Sequence, residues 1–270
     1  MSRELNVDGD QYRALLKMLN EEIYKYAEHL GIDIKNEEEL IKACNTMKKI
    51  KLGKEATEFL LDGILNWDAG DHRVLKFIDL EGISFADICV RRVDFRGTNA
   101  DVDPQTVDGK NIEGANFEGI DMSGKGFDGC VICHTNLNYT NAVFDPQKVY
   151  DKDLSLTKCE GLDLSQASFR DVYVKDASFK NAKINLDPQE VFGKCLEGIN
   201  LENVDMSGKD FSGCELSYCN LTNTNAVINL HYFNVDQLWG IKLQGTTLLV
   251  GDDFEREQLE KQSVELGQVK

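Results

Sequence analysis

The sequence predicts a mainly-β fold: a right-handed quadrilateral β-helix carrying an α-helical N-terminal cap and a short C-terminal helix. Three observations predict it. From Ile78 onward apolar residues recur at every fifth position, as in IDLEG, ISFAD, ICVRR and VDFRG. A helix repeats at 3.6 residues and a strand at 2, so neither produces that spacing. A second, longer period lies above the first, marked by DPQTV at 103–107, DPQKV at 145–149 and DPQEV at 187–191, in steps of 42 (145 − 103 = 42, 187 − 145 = 42). Residues 1–67 lack both periods and follow a helical one instead.

Residues 1–67 are expected to form three helices. Leu15, Leu19, Ile23, Tyr26 and Leu30 share one face of a helix that Gly31 stops. Asn36 followed by Glu39 reads as a capping box opening a second helix, with Leu40, Cys44 and Met47 inward. Ala56, Phe59, Leu60 and Ile64 define the third. A stack of coils leaves an apolar cross-section open at its end, so these helices are expected to cap it, or else to bind a partner as a separate module.

Residues 68–250 form the repeat. If each quintet is one side of a square coil, its middle residue always points to the axis, and stacked coils pair backbone to backbone. The expected core is Leu80, Phe85, Phe95, Phe117, Phe127, Ile132, Leu137, Leu164, Phe169, Phe179, Leu201, Phe211, Leu216 and Leu221. Between DPQ segments lie seven quintets, and the seven-residue inserts at 103–109, 145–151 and 187–193 complete each unit of the longer period. An insert standing for one side gives eight sides per unit, which is two coils. All three prolines of the chain, Pro104, Pro146 and Pro188, sit in these inserts, where no ladder N–H is needed. NLHYFNV at 229–235 takes the fourth insert place without a proline. The row Asp103, Pro104, Gln105, Asp145, Pro146, Gln147, Asp187, Pro188 and Gln189 is the candidate set of interaction loops.

These quintets closely resemble the pentapeptide-repeat family, A-[DN]-L-x-x, over about residues 73–250. The resemblance implies the β-helix. It also implies a candidate role, because some members imitate a DNA duplex in size and charge, bind DNA gyrase and confer quinolone resistance. A remoter alternative is an effector-like fragment, since some bacterial effectors join this coil to a cysteine-dependent ubiquitin ligase domain. A bacterial, cytoplasmic setting is expected.

Residues 251–270 read as an acidic tail or helix, in which Phe254 and Leu259 close the last coil or form a homodimer contact.

Searching for chemistry leads away from an enzyme. CVICH, 130–134, has the spacing at which c-type haem is attached. The register accounts for it otherwise: Ile132 is central, Cys130 fills the small inward slot that opens a quintet, and Cys133 and His134 point outward. The four histidines have no partners at ligand or triad spacing, and no second C-x₂-C completes a zinc site. No cofactor and no metal is expected. The net charge of −17 argues against direct binding to nucleic acid or anionic membrane. No stretch approaches the roughly 20 apolar residues of a spanning helix, and the start of the chain lacks a signal peptide's apolar region. What remains is a non-catalytic scaffold for an unidentified protein partner, with gyrase or another topoisomerase as the alternative.

Overall fold

The computed structural model describes residues 73–75, 80–249 and 268–269. The three helices expected within residues 1–67 lie outside the described residues; of the acidic helix or tail expected at 251–270, only residues 268–269 are described, and they form a strand. Within the described residues the chain is a four-sided coil. Its regular strands are two or three residues long, all paired in parallel: β1 (Arg73–Val74) with β2 (Val93–Asp94), β3 (Asp163–Leu164) with β4 (Lys183–Ile184), and β5 (Val227–Asn229) with β6 (Thr247–Leu249). A last strand, β7 (Gln268–Val269), continues the ladder on β6.

One side of the coil shows the register most plainly. Asp94, Asn116, Asn136, Lys158, Ser178, Asn200, Asn220 and Lys242 pair in sequence, each with the next. The steps alternate between 22 and 20 (116 − 94 = 22, 136 − 116 = 20). The shorter step is a coil of four quintets. The longer one is a coil in which a seven-residue insert replaces a quintet. The insert stacks directly on the quintet before it: Asp87 N donates to Thr106 O at 2.9 Å and Asp171 N to Glu190 O at 2.7 Å.

The four sides are distinguished by their central residues. Side A carries Val90, Ile112, Ile132, Leu154, Val174, Leu196, Leu216 and Leu238. Side B carries Phe95, Phe117, Leu137, Cys159, Phe179, Leu201, Leu221 and Leu243. All of these are buried. Side C runs from Leu80 to Leu248, where Ile184 is only partly buried. Side D alternates Phe85, Phe127, Phe169 and Phe211 with the inserts. Every residue of the expected core is at most 3% exposed. The aromatic ones stack along the axis, with Phe95 and Phe117 parallel at 5.1 Å and Phe169 and Phe179 edge-on at 5.4 Å. Such pairs add about 0.5–1.5 kcal/mol beyond their buried area.

The slot that opens a quintet is also inward. Six buried threonines occupy it, and their hydroxyls are satisfied by the backbone, as Thr135 Oγ1 donates to Ile112 O and Thr140 Oγ1 to Leu137 O, both at 2.8 Å. A buried hydroxyl left unpaired would cost about 1–3 kcal/mol, so this pairing is what admits threonine to the core.

Candidate interaction surface

The DPQ inserts come first, because the sequence singles them out. Asp103, Asp145 and Asp187 each fold back on their own turn, the Oδ1 accepting from the N–H of Gln105, Gln147 and Gln189 at 2.9, 3.0 and 2.9 Å. Pro104, Pro146 and Pro188 are buried. The glutamines reach across to the next coil: Gln105 Nε2 donates to Asp128 O at 2.9 Å, Gln147 Nε2 to Arg170 O, and Gln189 Nε2 to Ser212 O at 2.9 Å and Asp210 O at 3.1 Å. The prolines are thus buried, while the aspartates and glutamines lie partly exposed with their polar atoms engaged by the rod. The aspartates cap their own turns, and the glutamines clamp each insert to the coil that follows. In the fourth insert Asn229 takes the aspartate's part, its Oδ1 accepting from His231 N at 3.1 Å.

The cysteine of CVICH belongs to this clamp. Cys130 Sγ donates to Pro104 O at 3.5 Å and receives Gln105 Nε2 at 3.2 Å. Cys214, two units later, repeats the contacts with Pro188 O and Gln189. Burial pushes the Cys130 thiol up to about 11 and the Cys214 thiol to about 12. Protonated thiols at neutral pH are poor nucleophiles. Cys133 is half-buried, and His134 is exposed at a corner with φ of 62°.

Glycines at the corners do more than turn the chain. A Cβ on Gly240, φ 66°, would lie 2.8 Å from Tyr218 Cδ1, and one on Gly114 would lie 3.0 Å from Arg92 Cγ. The side chain at one corner thus lies flat over the glycine of the next coil, at the longer of the two steps (240 − 218 = 22, 114 − 92 = 22). Elsewhere the corner is stitched by amides, Asn203 Nδ2 donating to Asn181 Oδ1 at 2.8 Å and Asn223 Nδ2 to Asn203 Oδ1 at 3.0 Å.

Two features recur along the exposed surface of the described residues. Where the inserts meet side A, Tyr150, Tyr173 and Phe192 stand on successive coils, all more than 40% exposed. Tyr173 and Phe192 stack at 4.0 Å. The backbone beneath them is fixed, with Tyr150 N donating to Cys130 O at 2.9 Å and Phe192 N to Val172 O at 3.1 Å. On side C, Asp121, Asp163 and Asp205 recur once per two-coil unit (163 − 121 = 42, 205 − 163 = 42), about 10 Å apart at the strand spacing. Each carboxyl is held below the usual aspartate range. For Asp121 the main cause is the Ser123 N–H; for Asp163 and Asp205 it is the hydroxyl of Ser165 and of Ser207. Among the described residues no group of three His, Cys, Asp or Glu could hold a metal ion, and no helix is long and apolar enough to cross a membrane.

Comparison with known families agrees with this geometry. The family model described as pentapeptide repeats (8 copies) matches residues 195–226. The chain carries pentapeptide repeats. That match falls where the family's pattern is densest, in KCLEG, INLEN, VDMSG, KDFSG and CELSY, which coil over sides A to D and back to A. No curated protein matches the chain. Among solved structures, a trypsin-treated variant of QnrB1, described as a plasmid-mediated fluoroquinolone resistance protein, aligns over 72% of this chain and 76% of its own. The sequence identity is 15% and the TM-score 0.17. No role is carried from QnrB1 to this pentapeptide-repeat rod.

Proposed function

We propose that this pentapeptide-repeat rod is a non-catalytic binding module whose contact surface is the aromatic ridge Tyr150, Tyr173 and Phe192 and not the DPQ row. The observation that carries the reading is the stacked, exposed pair Tyr173–Phe192 on a backbone held by inter-coil hydrogen bonds. Tyrosine and phenylalanine are enriched at protein interfaces, and rings fixed before binding lose little conformational entropy on contact. Burial keeps the Cys130 and Cys214 thiols protonated at neutral pH, which weakens them as nucleophiles.

The test uses affinity capture with the full chain to recover a partner, then repeats it with Tyr173→Ser/Phe192→Ser. At least tenfold less partner is expected with an unchanged melting temperature, as for loss of an aromatic hot spot. Equal capture overturns the assignment of the ridge.

The acidic column of side C favours a second reading, imitation of a nucleic-acid duplex toward a DNA topoisomerase. Its test is inhibition of gyrase supercoiling across a salt series, with Asp121→Asn/Asp163→Asn/Asp205→Asn as the comparison. Inhibition that weakens with salt and is lost in the triple variant supports it. No inhibition at micromolar protein removes it.

A further inference from the structure

The chain's net charge is −17, yet one cleft in the rod is lined by cations. It has a volume of about 450 Å³ and follows the corner between sides A and B. Arg92, Arg96, His134 and Lys158 line it, with Asp94 as its one carboxylate and Asn116 and Asn136 between them. Asp94 is already committed: Arg96 Nε and Nη2 hold it at 3.0 and 2.9 Å. On the same sides Glu113 pairs with Arg91 at 3.3 Å, and Glu118 accepts from Asn136 Nδ2 at 3.2 Å. Arg92 lies over Gly114 on one side of the cleft, and Lys158 closes the other.

The register sets the distances. Arg92 and His134 are corner residues two coils apart, about 10 Å; Asp94 and Lys158 are three coils apart in the side B ladder, about 14 Å. With Arg96 engaged by Asp94, the remaining cationic donors are drawn out along the rod, Arg92 at one end and Lys158 at the other. A single tetrahedral anion touches one end and leaves the other unanswered, whereas a linear polyanion meets both. No phenylalanine, tyrosine or tryptophan ring lines the cleft to stack a base. Guanidinium and ammonium donors make their strongest hydrogen bonds to phosphate oxygens.

We infer that this cleft binds a chain of condensed phosphates, recognised by Arg92 at one end and by Lys158 at the other. The source is inorganic polyphosphate or the phosphate tail of a nucleotide, and the cleft reads the phosphates alone.

The experiment is calorimetric titration of the full chain at fixed ionic strength with tripolyphosphate, orthophosphate and ATP. Tripolyphosphate is expected to bind at least tenfold tighter than orthophosphate, and ATP no tighter than tripolyphosphate. Lys158→Gln and Arg92→Gln each weaken tripolyphosphate about tenfold, the effect of losing one charge-assisted contact, without altering the melting temperature. Lys242→Gln, in the same ladder four coils beyond Lys158, leaves binding unchanged. No tripolyphosphate binding at millimolar concentration overturns the inference. So does equal weakening by Lys242→Gln, which would reduce the effect to overall charge, and so does ATP binding tighter than tripolyphosphate, which would place the recognition on the nucleoside.

Discussion

Replacing Asp187 and Gln189 together by alanine tests whether the DPQ row is a clamp. Asp187 Oδ1 caps its turn by accepting from Gln189 N at 2.9 Å. Loss of such a cap costs about 1 kcal/mol. Gln189 Nε2 serves Ser212 O at 2.9 Å and Asp210 O at 3.1 Å. Removing it forfeits about 1–2 kcal/mol in all, since the carbonyls lose a partner at the coil surface. The sum is about 2–3 kcal/mol, which for a domain of this size lowers the melting temperature by roughly 5–10 °C. Differential scanning calorimetry reads the shift. Glu190→Ala is the control, because the Glu190–Arg170 pair is exposed on both sides and is worth about 0–1 kcal/mol. A double variant that melts at the temperature of the parent refutes the clamp and makes the row a free surface again.

Three further outcomes are expected. Phe169→Asp buries an unpaired charge where the ring is 2% exposed and packs edge-on against Phe179, costing several kcal/mol; loss of cooperative unfolding by circular dichroism is expected, and an unchanged spectrum and melt contradicts the register. Gly240→Ala forces a Cβ into the left-handed region against Tyr218 and costs about 1–2 kcal/mol by urea denaturation, part of which Tyr218→Ala restores; full additivity of the two contradicts the contact. Burial raises the folded-state values of Cys130 and Cys214 from 9.0 to about 11 and 12, so the unfolded chain releases those protons first. Their stabilising contribution is whole below pH 9 and declines as pH rises toward 11–12; a Cys130→Ala/Cys214→Ala variant shows a flatter decline, and an identical slope speaks against the buried thiols.

The core was legible because its signal is one-dimensional. Each central residue from Leu80 to Leu248 announces itself by its place in a quintet, whatever its neighbours in space. The two-coil unit was legible for the same reason, since Pro104, Pro146 and Pro188 mark it at equal intervals. What lies between coils was harder to read. Gly240 shows itself in sequence as a turn residue, but the ring that covers it, Tyr218, is a neighbour only at the longer step that an insert creates. Asp187 and Gln189 read as exposed polar residues of a loop because nothing local reveals that Gln189 reaches the carbonyls of Asp210 and Ser212. The cleft is the extreme case. Arg92, His134 and Lys158 share no motif, and only aligning the chain in its two alternating steps brings them to one corner.

Alternating coil lengths also set a unit of inheritance for the rod. A deletion or duplication of one whole two-coil unit, begun anywhere between Leu80 and Leu248, returns every side to its own kind, with an insert over a quintet and a corner side chain over its glycine. Gain or loss of a single coil keeps the apolar axis continuous but sets insert against insert, so that the glutamine arms meet no backbone to hold. Length in this lineage is therefore expected to vary in steps of about 10 Å, two coils at a time, although a single coil is the smallest piece that would close the square.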